Sequence, residues 1–167
     1  MHRLLAFYYG SHPDHRGRML AEILQQDDFW LEVTHDYIQW LFPLSDLSRV
    51  TPDAPLVDNN IRDTFRTDDV LQKHMRAAVV RMARFLGLTF NGVTVGKTAT
   101  WAERKGEWFT ENTHNSLRIT RILKSMTLLG LQKDSVALQR GIEQLCAVES
   151  DCGVTHESRR FWRDAIK

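Results

Sequence analysis

From Phe29 to Phe42 the chain reads FWLEVTHDYIQWLF and then meets Pro43. On a 3.6-residue period Glu32, His35, Asp36 and Gln39 share one narrow polar strip, because they lie three and four residues apart. Trp30, Leu31, Val33, Tyr37, Ile38, Trp40, Leu41 and Phe42 fill the rest of the circumference. This pattern predicts a helix over 28–42 that is buried on most sides, with other helices packed around it. Asp27 or Asp28 stands where a side chain would cap its first N–H groups.

Comparable periods flank it. After a short apolar opening at Leu4, Leu5, Phe7 and Tyr8, the positions Met19, Leu20, Ile23 and Leu24 predict a helix from Asp14 or His15 to Gln26. Asp58 would cap a short helix ending at Arg66, and Thr67 one from Asp68 to Leu86 with Gly87 as its stop. The latter has an apolar face (Leu71, Met75, Ala78, Val79, Met82, Phe85, Leu86) opposite a basic one (Lys73, Arg76, Arg81, Arg84). Ile119, Ile122, Leu123, Met126 and Leu129 mark a helix beginning at His114 or Asn115 and ending at Gly130. Another is expected over 134–149, and a last one, capped by Thr155, carries Phe161, Trp162 and Ile166. Gly141 lies inside the helix over 134–149, where it costs about 1 kcal/mol relative to Ala, so a neighbouring helix is expected to approach there.

LTF and VTV surround Asn91-Gly92, the pair suited to a two-residue type I′ turn, and predict a small β-hairpin within 88–95. Residues 44–57 and 99–113 show no period and read as loops, the second anchored by Trp101, Trp108 and Phe109. The expected fold is all-α, a single compact domain over residues 1–167 with about six or seven helices around residues 28–42.

A hydrophobic fraction of 43% and a charged fraction of 26% are ordinary globular values, and 167 residues suffice to bury a core. The net charge of +1 conceals an asymmetry: residues 1–60 hold four Lys and Arg against nine Asp and Glu, and residues 61–167 eighteen against twelve. Such an imbalance would steer a polyanion to the second part or hold the two parts together. The start, MHRLLAFYYGS, is a poor secretion signal, and no stretch approaches the roughly 20 apolar residues of a transmembrane helix, so a cytoplasmic location is expected. Cys146 and Cys152 fit neither a CxxC motif nor a disulfide framework and read as free thiols.

Four stretches are candidates for chemistry. Gly92 to Thr98, GVTVGKT, has three residues between its glycines where a phosphate-binding P-loop needs four, and the hairpin accounts for it better. Glu32 with His35 and Glu111 with His114 each have Glu-x-x-His spacing; two such motifs on facing helices hold metals, but the further carboxylates are not evident. No metal or other cofactor is therefore expected. The start of the helix at Asn115 joins free N–H groups and the positive end of a helix dipole to His114, Asn115, Ser116, Arg118 and Arg121, a recipe for an anion such as a peptide carboxylate. The basic face could meet nucleic acid, although no nucleic-acid motif accompanies it and the pI of about 7.9 is low for such a role. No nucleophile elbow is present.

The strings HDYIQWLFP (35–43) and HNSLRITRILKSMTLLGL (114–131) closely resemble the two signatures of the opioid growth factor receptor conserved region. FYYGSHPDHRGRML resembles that family's opening, with Phe7, Tyr8, Gly10, Asp14, Gly17 and Arg18 in its FYxG and D-x-x-G-R segments. DDFWLEVTHDYIQWLFPL, DAPLV and FLGL also fit, so the likeness covers essentially the whole chain. Animal members are known as receptors for an enkephalin pentapeptide, restrain cell growth, and associate with the nucleus and its envelope. They carry further sequence with repeats, and the compact length here resembles a stand-alone microbial form. The resemblance implies a peptide- or protein-binding helical module and carries no catalytic residue. The alternative reading is an enzyme using Glu32, His35 and Asp36, alone or through a metal; a nucleic-acid adaptor is third. The basic helix and the aromatic loop would equally suit the interface of a homodimer.

Overall fold

In the computed structural model, which describes residues 1–167, the helices are α1 (Arg3–Tyr8), α2 (Leu20–Leu24), α3 (Asp28–Val33), α4 (Ile38–Leu41), α5 (Asn59–Thr67), α6 (Asp69–Phe85), α7 (Trp101–Arg104), α8 (His114–Leu128), α9 (Gln132–Val148) and α10 (His156–Ala165). Strands β1 (Leu88–Phe90) and β2 (Val95–Lys97) lie between α6 and α7. The expected all-α class with one small hairpin is thus what the chain adopts. None of the helices is long and apolar enough to cross a membrane. Helix starts follow their caps. Asp27 accepts from the Trp30 N–H, Asp58 from Ile61, Asp68 from Val70 and Leu71, Thr113 from Asn115, and Thr155 from Ser158. The α6 cap is Asp68, one residue after the expected Thr67.

The chain divides into two compact units, Met1–Ala78 and Val79–Lys167, the division falling inside α6. In the first, Leu4, Phe7, Tyr8, Leu31, Tyr37, Trp40, Leu41, Phe42 and Phe65 are fully buried, with the Phe7 ring edge-on to Trp40 and Tyr8 edge-on to Phe65. The Tyr8 hydroxyl donates to the Leu41 carbonyl, and His74 donates through Nδ1 to the Tyr8 carbonyl at 2.6 Å.

The single helix expected over 28–42 is broken. Thr34, at φ −97° and ψ 131°, is extended, and residues 34–37 separate α3 from α4. Two tertiary interactions hold the break open. The Tyr37 hydroxyl donates to the Leu31 carbonyl at 2.8 Å, and Asp36 is drawn to Arg16 and Arg18, each at 2.9 Å. The helix expected from Asp14 likewise begins only at Leu20. Buried Asp14 folds the preceding residues around itself, accepting from the N–H groups of Arg16 and Arg18 and from Arg18 Nε. Gly17 between them sits at φ +78°, which a helix excludes.

In the second unit α8 packs against α9 and α10, and β2 lies on α9. Residues 99–113, expected to be loop, contain α7 and a tight turn over Lys105–Glu107, because Trp101, Arg104 and Trp108 recur at helical spacing and are all buried. Arg104 Nε and Trp108 Nε1 donate to the Phe85 and Leu86 carbonyls at 2.6 and 2.8 Å, satisfying acceptors that the end of α6 leaves without helical partners. Trp101, Trp108 and Phe109 are thus core, which withdraws them from any interface between copies.

The hairpin pairs Phe90 with Val95 and Leu88 with Lys97, so its loop has four residues and not the expected two. Asn91 Oδ1 accepts from the N–H groups of both Val93 and Thr94 and sets that longer turn. Close approach at Gly141 holds, but the neighbour is a strand: a Cβ there would lie 2.6 Å from Val95 Cβ. Gly141→Ala should therefore lower the unfolding free energy by about 1–3 kcal/mol in urea denaturation, and adding Val95→Ala should restore part of it. A gain of about 1 kcal/mol, as at an open helical position, would contradict this contact.

Candidate functional site: a groove between α8 and α10

α8 serves two sides at once. Asn115, Arg118, Ile119 and Ile122 are buried, whereas Thr113, His114, Ser116, Leu117 and Thr120 line a half-open cavity of about 420 Å³. Its other wall is Glu157, Ser158 and Phe161 of α10, with Asn112 at the end. Trp162, buried to 1% exposure, donates its indole N–H to the Ser116 carbonyl at 3.1 Å, and the Thr120 hydroxyl donates to the same oxygen. Asn112 Oδ1 accepts from the hydroxyls of Ser158 (2.7 Å) and Thr155 (2.9 Å), tying the first turn of α10 to the residues leading into α8. Both helices thus bring their N-terminal turns to this cavity. Leu117 is 72% exposed and Phe161 43%, so the walls carry uncovered apolar surface. A shallower hollow of about 390 Å³ adjoins at Glu157, lined also by His156, Arg160 and Arg163.

The residues expected at an anion site near Asn115 separate into two groups. His114 and Ser116 line the cavity. Asn115 is wholly buried and is not the cap; its amide donates to the Glu107 carbonyl at 3.1 Å, and its Oδ1 accepts from Arg118 at 3.3 Å. Arg118, 6% exposed, stands over the Phe85 ring. Arg121 is half-buried, and that burial lowers its pKa to about 10, leaving it protonated at neutral pH.

The polar strip Glu32, His35, Asp36 and Gln39 does not form, because the break at Thr34 turns its members apart. His35 is exposed, Glu32 half-buried, and Gln39 buried with its carbonyl oxygen unbonded. Burial pushes the Asp36 pKa up, but hydrogen bonds from Arg18 and Arg16 outweigh it and hold the carboxyl below the usual range. Asp36 is a structural anion, and the strip offers no assembled acid–base pair. No three His, Cys, Asp or Glu side chains gather as a metal site, so Glu32, His35, Glu111 and His114 do not combine. On α6, Lys73, Arg76 and Arg84 are exposed and Arg81 is half-buried. Gly92–Thr98 belongs to the hairpin and the turn after it.

Sequence reasoning missed Leu117 as a wall of this groove and named Phe161 together with Trp162 on the last helix without separating their faces. A signal existed: successive helical residues point about 100° apart, so Phe161 and Trp162 cannot both face inward.

Residues 3–167 match the model of the family described as the opioid growth factor receptor (OGFr) conserved region. The chain belongs to this family. Among its relatives, the human protein named opioid growth factor receptor is 34% identical over 132 residues, covering 74% of this chain and 19% of that protein. The mouse opioid growth factor receptor-like protein 1 is 34% identical over 143 residues, covering 83% and 30%. Its Xenopus tropicalis namesake is 34% identical over 135 residues, covering 77% and 26%. The chain therefore spans less than a third of the length of these conserved-region relatives. No solved structure matches it.

Within this conserved-region fold Arg118 acts on stability. Arg118→Ala should cost about 2–4 kcal/mol in urea denaturation, by stripping Asn115 and Phe85 of a partner, against less than about 0.5 kcal/mol for the exposed Leu117→Ala. Equal, small losses would contradict this placement.

Proposed function

We propose that the chain is a peptide-binding module whose site is the groove between α8 and α10. The carrying observation is the half-open cavity of about 420 Å³ flanked by exposed Leu117 and Phe161. That volume suits a few side chains and falls in the range of small-ligand sites, too small for a folded partner but right for an apolar or aromatic anchor of a short peptide. The peptide's negatively charged end lies toward Arg160 and Arg163 in the adjoining hollow and toward the positive ends of both helix dipoles. His114 and Ser116 contribute from the start of α8, while Asn115 and Arg118 support that turn from behind. Relatives that carry the name receptor support a ligand-binding role of this kind.

The enzyme reading loses its strip, and the nucleic-acid reading rests only on the charges of α6. Calorimetric titration should use pentapeptides bearing one Leu or Phe, each with a free or an amidated C-terminus. Saturable binding is expected, weakened at least about tenfold (about 1.4 kcal/mol) by Leu117→Asp or Phe161→Asp with unchanged circular dichroism, and weakened by amidation. Affinities unaffected by both aspartates would overturn the groove as the site.

A further inference from the structure

The hairpin leaves one strand edge unpaired, and α9 runs beside it. The Thr98 N–H donates to the Gly87 carbonyl at 2.9 Å, and Thr89 stands opposite Gly96 in the register. Hydrogen-bonded pairs alternate along an antiparallel ladder, so the Gly87–Thr98 and Thr89–Gly96 pairs carry the bonds, and the N–H and C=O groups of Val95 and Lys97 point away from β1. Those outward groups take no backbone partner elsewhere in the chain. An edge of this kind is a template for another extended backbone. α9 turns it into a trough. β2 follows the helix from Gly92 beside Asp134, through Val95 against Gly141, to the ion pair of Lys97 with Glu149. Between them lies a half-open cavity of about 360 Å³, with Thr94 and Val95 on one side and Ala137, Arg140, Gly141 and Gln144 on the other. No β1 residue lines it, so it opens on the outer side of β2. The exposed guanidinium of Arg140 is the only charge in the lining.

We propose that this trough is a second docking site, which takes an extended, acidic segment of a partner protein as a third strand on β2. The backbone of that segment pairs with the outward groups of Val95 and Lys97. Every second side chain of a strand lies on the same face, about 6.6–7 Å apart. One β-branched apolar side chain therefore enters the cavity beside Val95, and a carboxylate two residues along reaches Arg140. Main-chain bonds supply the affinity and these two side chains the selection. A second copy of this chain matches the trough poorly, because its own edge, VTVGK over 93–97, brings no carboxylate to Arg140. The site is separate from the groove between α8 and α10, so either can fail alone.

The test pans a phage-displayed library of random heptapeptides against the full chain. Enriched sequences should carry Asp or Glu two residues from a Val or Ile. The most enriched sequence, synthesised with both ends blocked, should bind in calorimetric titration and should slow hydrogen exchange at the Val95 and Lys97 amides. Arg140→Glu should weaken it at least about tenfold. Lys97→Pro should weaken it far more than Lys97→Ala, because only proline removes an outward N–H that the hairpin itself does not use. Should Lys97→Pro unfold the hairpin, exchange at those two amides in the unsubstituted chain decides alone. Binding that ignores Arg140→Glu and leaves both amides exchanging freely would overturn the proposal. So would a library without an enriched sequence, binders lost only with Phe161→Asp, or protection of the two amides in a dimer without peptide.

Discussion

The groove depends on one hydrogen bond from a buried indole. Trp162 is too large to bury without placing its N–H, and it finds the Ser116 carbonyl on α8, an oxygen that also accepts from the Thr120 hydroxyl. This fixes which face each helix turns to the other. The residues next in sequence, Leu117 and Phe161, then point about 100° away and cannot be buried by the same contact. Their exposure follows from the locking of α10 onto α8, and so does the cavity between them. Asn112, bonded to Ser158 and Thr155, sets the two N-terminal turns at one end of the same cavity.

Charge is spent locally on shaping the chain. Asp14, Asp27, Asp58 and Asp68 each accept from backbone N–H groups and organise a turn or a helix start. Asp36 pairs with Arg16 and Arg18, with His15 Nε2 3.5 Å away and the His15 ring stacked on Trp40. Asp14, Asp27, Asp36 and Asp58 are four of the nine acids of residues 1–60, whose negative excess reads differently once they are seen as caps and pair partners. Arg104 and Arg118 show the converse: both are buried against Phe85, giving guanidinium groups to the core of their unit.

Where helix formation rests on nearest neighbours, the sequence was legible. The apolar face of α6 from Leu71 to Leu86, the caps at Asp27, Asp58 and Thr155, and the presence of a hairpin near Asn91 all follow from spacing and local hydrogen bonding. The break at Thr34 does not, because what stabilises it comes from the Tyr37 hydroxyl and from arginines about twenty residues upstream. The hairpin register escaped for a smaller reason: Asn91 has both a turn-forming backbone and a side chain that bonds two N–H groups, and the second prevailed. At the site, the helix start near Asn115 was legible, but the direction of its side chains was not. A rule that sends Arg and Asn outward fails where each supplies the other's hydrogen bond in the interior.

Perturbation mapping by two-dimensional ¹H–¹⁵N NMR tests the central claim most directly, because it asks every part of the chain at once where a ligand sits. On titration with a pentapeptide bearing a single Phe and a free C-terminus, the shifts should concentrate at residues 112–120 and 156–163. Shifts concentrated on the basic face of α6, or spread around residues 28–42, would contradict a ligand site in the groove between α8 and α10.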